Sequence, residues 1–201
     1  MAAQTGSSHS MTDSLILASG SRYRRELLER LHLPFRVHPA DSDESPLPGE
    51  APEALVSRLA ELKARTVAAR FPDAWVIGSD QVAVCGGRIV GKPGNADRAC
   101  EQLRAASGTS VRFLTAVCLL RSPDRLEGHL DVTTVHFRPL SEPEIARYVE
   151  IERPFDCAGS FKSEGLGVSL FESVDSRDPT ALVGLPLIWL SGALRRAGFA
   201  P

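Results

Sequence analysis

The sequence contains no C-x-x-C pair. Its four cysteines, Cys85, Cys100, Cys118 and Cys157, are scattered, so neither a zinc site nor a redox motif is spelled out. The five histidines (His9, His32, His38, His129 and His136) lack metal-ligand spacing and read as surface or loop residues. No signal peptide is visible, so the expectation is free thiols in a reducing cytoplasm. Long apolar runs are missing too. The longest charge-free stretch in the patterned region, Pro179 to Leu194, falls short of the ~20 residues of a membrane span. Pro179, Gly184, Pro186 and Gly192 interrupt it, and no membrane association is expected. There is no excess of positive charge: 23 Lys plus Arg stand against 25 Asp plus Glu, a formal net charge of −2. That excludes a global basic field for a long nucleic acid. It leaves room for a phosphorylated small molecule, which needs only a local cluster of cations. No internal repeat occurs.

The composition that is present, 43% hydrophobic and 24% charged over 201 residues, is that of a soluble globular protein and excludes a mostly disordered chain. Met1 to Asp13 lacks periodicity and reads as a flexible tail, with one catalytic-sized domain over 14–201. Leu15 to Ala18 is a short apolar run suited to a buried strand, and a helix follows over Arg22 to His32 with Ser21 as N-cap. Phe35 to His38 reads as a strand, and Asp41 to Pro52, rich in proline and acid, as a loop. Pro52 to Arg70 is the clearest helix, with proline in its first turn. Trp75 to Gly78 is a buried strand running into Ser79-Asp80-Gln81. Val82 to Val84 and Arg88 to Val90 flank Gly86-Gly87 as a hairpin. Further helices are expected over Asn95 to Ala106, Ser141 to Ile151 (a capping box, Ser141 with Glu144) and Leu185 to Arg196. Strands are expected over Val111 to Leu120, Leu130 to Phe137 and Val168 to Val174. Strands and helices are mixed throughout, which gives an α/β or α+β class.

Three cations stand in odd places. At ~100° per residue, Arg24 projects into the middle of the face defined by Leu27, Leu28 and Leu31, whereas Arg22 and Arg25 point away. Cations are disfavoured at a helix N-terminus unless an anion sits there as well. Arg24 is therefore a core misfit or a phosphate ligand. In the helix from Pro52, Lys63 falls about 40° from Leu59, near the centre of the apolar arc. It either snorkels along its stem or meets a carboxylate or phosphate. Lys92 lies in the tight turn Gly91-Lys92-Pro93-Gly94, which is not a P-loop. Asp80 follows a buried strand, a common place for a catalytic base or metal ligand, although a turn-forming Asp is the bland alternative. Together Arg24, Lys63 and Lys92 for phosphates, with Asp80 and Glu44 for a metal or water, suggest metal-assisted attack on a phosphoanhydride.

The ordered blocks Ser19-Gly20-Ser21 with Arg24, Asp43-Glu44, Arg58-Leu59-Ala60 with Lys63-Ala64, Gly78-Ser79-Asp80, Gly91-Lys92-Pro93, Asp156-Cys157-Ala158-Gly159, Glu164-Gly165-Leu166-Gly167 and Val183-Gly184-Leu185-Pro186-Leu187 resemble the Maf nucleotide pyrophosphatases. The resemblance covers nearly the whole chain beyond the tail. It implies a two-lobed, elongated α/β fold with a central cleft, like that of the inosine triphosphate pyrophosphatases. It implies hydrolysis of a nucleoside triphosphate to the monophosphate and pyrophosphate with a divalent metal cation. The family's catalytic base falls on Asp80, its phosphate-side cations on Arg24, Lys63 and Lys92, and its hydroxyls on Ser19 and Ser21. Glu44, with Asp80, is the candidate metal pair. The positions that set base preference fall on Tyr23, Gln81 and Glu164. The branch acting on dTTP and UTP typically has Arg, Thr and Gln there, and this chain is similar instead to the 7-methyl-GTP branch. N7-methylation makes guanine cationic, which suits a carboxylate at Glu164 and an aromatic face at Tyr23. Arg22 departs from the family's usual proline at that position, and points outward. The competing readings are a pyrophosphatase for dTTP, UTP or another nucleotide, and a nucleotide-binding cell-division regulator without essential catalysis. A homodimer is common for such compact enzymes.

Overall fold

The computed structural model describes residues 14–121 and 124–201. The expected tail over 1–13 lies outside the described residues. Leu15–Leu17 form β1, all three buried. Its parallel neighbour β2 is Arg36–Val37, shorter than Phe35 to His38. Between them α1 spans Arg22–Glu29, and Ser21 Oγ caps it by accepting the N–H of Arg24 at 3.4 Å. The helix ends short of His32, where the backbone turns left-handed at φ 52° and no helix continues. Leu27 and Leu28 anchor α1 in the core, each contributing ~1.5–3 kcal/mol by burial.

The helix α2, Pro52–Ala68, starts with proline and an acidic first turn, both favourable at a helix N-terminus. It lies against β3, Trp75–Cys85. Gly78 sets the approach: a Cβ there would stand 2.1 Å from the carbonyl oxygen of Ala60 and 2.9 Å from Ala64 Cβ. β3 corrects the sequence reading, because Ser79-Asp80-Gln81 is the middle of one long strand rather than its end beside a loop. The reason lies in β5, Ser110–Arg121, which pairs with β3 without interruption from Val76↔Leu120 to Cys85↔Val111. An unbroken ladder overrides the low strand propensity of Gly, Ser and Asp. The expected hairpin to β4, Arg88–Val90, forms through Gly86 and Gly87, both at positive φ.

The helix α3 is Ala96–Ala106, capped by Asn95 Oδ1 on the N–H of Arg98. β6, Arg125–Phe137, begins earlier than Leu130 because its ladder with β5 runs out to Arg121↔Arg125. His129 and His136 are therefore strand residues rather than loop residues. His129 stacks on Trp189, and His136 bonds Ser110 Oγ and Asp175. The helix α4, Glu142–Glu152, has the expected box, with the Ser141 N–H donating to Glu144 at 2.8 Å. The strand expected over Val168 to Val174 is instead a 3-10 turn, Leu166–Leu170, followed by β7, Phe171–Asp175. Only the latter reaches β6 to pair. The closing helix α5, Leu187–Arg196, starts after Pro186.

The sheet order is β2-β1-β3-β5-β6-β7, with β4 on β3. β2, β1 and β3 run parallel and the remaining pairs antiparallel. Among the described residues there are four apolar clusters, two of them on the α2 face of the sheet; the two on the opposite face sit at the two ends of β3 and β5. One joins Leu15, Leu17, Leu27, Ile77, Leu119 and Leu190. The other joins Ala83, Phe113, Val135, Phe137, Tyr148 and Phe161. The fold is thus a mixed α/β structure of two lobes threaded by the same strands. Among the described residues no helix is long and apolar enough to cross a membrane.

Candidate active site

The flank of β3 away from β5 changes partner along its length. β1 pairs with it up to Ile77, and β4 takes over at Ala83. Between these two ladders, Asp80, Gln81 and Val82 line a cleft of about 750 Å³. The cleft therefore lies at the seam between the two cores, beside a strand whose other edge is fully paired.

Along β3 the side chains alternate. Asp80 lies on the face covered by α2, where Lys63 Nζ meets its Oδ1 at 2.7 Å. Both residues are buried, at 7% and 8% exposure. Lys63 also meets Glu44 Oε1, from the loop before α2, at 2.9 Å. Lys63 thus does not snorkel. Its ammonium sits between two carboxylates, the pairing that a buried charge requires. The close approach at Gly78, one turn of α2 away from Lys63, is what brings these groups within hydrogen-bond reach.

Arg24 enters from α1. Its Nε donates to the carbonyl oxygen of Gly184 at 2.9 Å and its Nη1 to Ser19 Oγ at 3.3 Å. Burial pulls its guanidinium below the ordinary value, and the charges of Asp80 and Glu44 oppose that pull. The same carboxylates therefore face Arg24 and Lys63. Ser19 Oγ also accepts the N–H of Ser21 at 3.2 Å, while Ser21 Oγ is used as the helix cap. Lys92, exposed, contributes to the wall of the cleft beyond β4. Arg24, Lys63, Lys92, Ser19, Ser21, Glu44 and Asp80 all line the one cleft.

Tyr23, Gln81 and Glu164 line it as well. Tyr23 does not present a free ring. The Arg22 guanidinium lies 4.6 Å from its centroid and donates to its hydroxyl at 2.8 Å. Arg22, expected to point away, is exposed but folds back over its neighbour and joins the cleft wall. Burial raises the Tyr23 phenol well above its usual value. Cys157 Sγ lies 3.6 Å from the Tyr23 hydroxyl, and burial pushes this thiol up to about 11. Gln81 directs its amide nitrogen at Thr115 Oγ1 (2.8 Å) and at the carbonyls of Ala181 (3.0 Å) and Leu182 (3.1 Å). Glu164 is exposed and accepts from Ser163 Oγ at 3.3 Å.

Sequence reasoning missed the apolar wall of Phe113, Phe161, Ile89 and Leu182, and the charge of Asp156 beside Cys157. Asp156 and Cys157 stand in a quoted block but carried no assigned role. The wall comes from residues that periodicity alone assigns to the core. Among the described residues no group of three or more His, Cys, Asp or Glu side chains is arranged to hold a metal ion.

A two-lobed α/β fold whose seam gathers cations and carboxylates around a cleft of this volume suits a small polyanionic ligand. The chain belongs to the Maf family: the model described as Maf-like protein matches residues 14–197. A protein of Xanthomonas axonopodis pv. citri (strain 306) named 7-methyl-GTP pyrophosphatase is 60% identical over 185 residues, covering 92% of this chain and 97% of that one. One of the same name from Pseudomonas aeruginosa is 58% identical over 185 residues, covering 92% and 96%. Among solved structures, a HAM1 protein from Coxiella burnetii shares the fold, with a TM-score of 0.51 at 15% identity over 92% of this chain and 99% of that one.

Proposed function

We propose that this chain is a nucleoside triphosphate pyrophosphatase that hydrolyses 7-methyl-GTP to 7-methyl-GMP and pyrophosphate. The names of its relatives support the activity. The observation that carries the base preference is the distribution of charge in the cleft. Around Asp80, Arg24 and Lys63 balance the two carboxylates, and Lys92 adds a further cation to the wall. Around Tyr23, Asp156 and Glu164 outnumber Arg22. An acidic excess at the end with the aromatic ring suits a cationic base, and the cations suit a triphosphate.

In this reading Arg24, Lys63 and Lys92 hold the phosphate chain, assisted by the hydroxyls of Ser19 and Ser21. Asp80 is the general base. Lys63 occupies its Oδ1 and orients the carboxylate, leaving the other oxygen to take a proton from water. The water oxygen attacks the α-phosphorus, the bond from that phosphorus to the bridging oxygen breaks, and pyrophosphate leaves. Glu44 and Asp80 each give one carboxylate oxygen to Lys63 Nζ, and the second oxygen of each is a hard donor at the same cleft. Those oxygens are the ones that would hold a divalent cation of the magnesium type. Such an ion, when bound, supplies charge neutralisation on the phosphates. The four free cysteines among the described residues accord with a reducing cytoplasm as the setting.

The test is pyrophosphate release from 7-methyl-GTP, GTP, UTP and dTTP measured side by side at fixed metal concentration. The highest kcat/KM is expected with 7-methyl-GTP. A preference for UTP or dTTP would overturn the base assignment, and nucleotide binding without pyrophosphate release would overturn the enzymatic reading.

A further inference from the structure

The segment from Asp178 to Leu185 crosses the face of β3 and β5 opposite α2 and is tied down by side chains of both strands. Thr115 Oγ1 donates to the carbonyl of Ala181 at 3.0 Å, and the Gln81 amide reaches the carbonyls of Ala181 and Leu182. Gln81 and Thr115 are direct cross-strand partners, so a single rung of the sheet holds this strap. Its near end is fixed by Asp178, whose Oδ1 accepts the N–H and hydroxyl of Thr180 at 2.9 and 2.6 Å. Its far end is Gly184, at φ 129°, where a Cβ would stand 3.5 Å from both Cγ and Nε of Arg24.

Two donors converge on the carbonyl oxygen of Gly184. One is Arg24 Nε at 2.9 Å, the other Ser79 Oγ at 3.1 Å. Ser79 is fully buried and lies on the same face of β3 as Gln81, two residues away. It is absent from the residues that line the cleft. The planar guanidinium of Arg24 is consequently pinned at two corners, Nε on Gly184 and Nη1 on Ser19 Oγ. Its remaining N–H groups are free of these two bonds, and the residue lines the cleft. A carbonyl oxygen accepts two hydrogen bonds, so the Ser79 hydroxyl settles the direction from which this oxygen meets the arginine.

We infer that Ser79 is a positioning residue for the polyanion site, acting through the Gly184 carbonyl on Arg24. This rests on the assignment of Arg24 as a phosphate ligand under the proposed function. β3 then works on both faces of the same stretch: Asp80 reaches towards Lys63 and Glu44, and its neighbour Ser79 orients the arginine from behind. Specificity of the arrangement comes from its geometry, because a guanidinium rotated about its stem no longer offers a paired N–H edge to phosphate oxygens.

The experiment is a double-mutant cycle between Ser79→Ala and Arg24→Gln, read as pyrophosphate affinity by calorimetry and as KM and kcat with 7-methyl-GTP. Thermal midpoints are recorded in parallel. Ser79→Ala in the wild-type background is expected to weaken pyrophosphate binding by about 3- to 10-fold, the effect of one hydrogen bond, and to raise KM more than it lowers kcat. In the Arg24→Gln background it should change neither. Ser79→Cys, which keeps the size of the side chain but donates only weakly, should show the same dependence on Arg24 and replaces Ser79→Ala if that variant does not fold. Equal effects in both backgrounds, or unchanged affinity in the Ser79→Ala protein, would overturn the inference while leaving the proposed function intact. If Arg24→Gln itself leaves pyrophosphate affinity unchanged, both the inference and the phosphate role of Arg24 fall.

Discussion

Replacing Gly78 with alanine tests the link between the packing of α2 and the chemistry of the cleft. The new Cβ would stand 2.1 Å from a backbone oxygen and 2.9 Å from a second Cβ, whereas real contacts do not fall under 3.0 Å. Both neighbours belong to α2, so relief requires the helix to retreat by about 1 Å, and no flexible side chain can yield in its place. Overpacking of this kind costs ~1–3 kcal/mol, and the backbone clash puts Gly78→Ala at the upper end. At ~2–4 °C per kcal/mol for a chain of this size, the thermal midpoint should fall by roughly 6–12 °C. The same retreat carries Lys63 away from Asp80, stretching their 2.7 Å contact past hydrogen-bond range. A misplacement of about 1 Å in a catalytic group can cost on the order of 10²-fold in rate. Thermal unfolding followed by circular dichroism, with turnover measured well below the variant's midpoint, separates the two effects. Gly192→Ala in α5 is the control, because its Cβ meets only the end of a flexible arginine at 3.4 Å and the helix gains from the change. A Gly78→Ala protein with an unchanged midpoint and normal turnover would refute the argument.

Asp80→Asn should lower kcat with 7-methyl-GTP by at least about 10²-fold, the usual range for a general base, with pyrophosphate affinity largely kept. Near-normal turnover would remove Asp80 from that role. Glu164→Gln should reduce the ratio of kcat/KM for 7-methyl-GTP over GTP, and an unchanged ratio would show that this carboxylate does not read the base. Hydrogen bonds from the Arg58 guanidinium, and then from the N–H of Leu47, hold the Glu50 carboxyl at about 2 against an ordinary 4.5. A depressed folded value contributes stability that is complete above about 4.5 and fades as pH falls towards 2. The difference in urea midpoint between wild type and Glu50→Gln should therefore shrink over that window, and a difference independent of pH would contradict the pairing.

What the sequence made legible was the part governed by local periodicity. α2 and its misplaced Lys63 follow from helical spacing alone, and so does the inward projection of Arg24. Each of these charges needed a partner, and the folded chain supplies one: carboxylates for Lys63, a backbone carbonyl for Arg24. The mid-strand position of Asp80 was hidden, because Gly78-Ser79-Asp80 has the composition of a turn and only the remote ladder with β5 makes it a strand. Val168 to Leu170 was misread for a related reason, as its apolar residues are equally compatible with a 3-10 turn. The strap over β3 was out of reach of any local pattern. Its bonds to Ser79, Gln81 and Thr115 join residues far apart in the chain.

A strand that serves the cleft from both faces has little freedom to change in length. One residue inserted between Trp75 and Asp80 would invert every side chain beyond it. The carboxylate would then face the strap, a serine or glutamine would confront Lys63, and the ammonium would lose its buried counter-charge. The acidic, proline-rich connection ahead of α2 faces no comparable restriction apart from Glu44 and Glu50. Insertions and deletions in natural or laboratory-evolved variants should accumulate in that connection and stay out of β3, so the spacing from Gly78 to Ala83 acts as a ruler for the whole reaction centre.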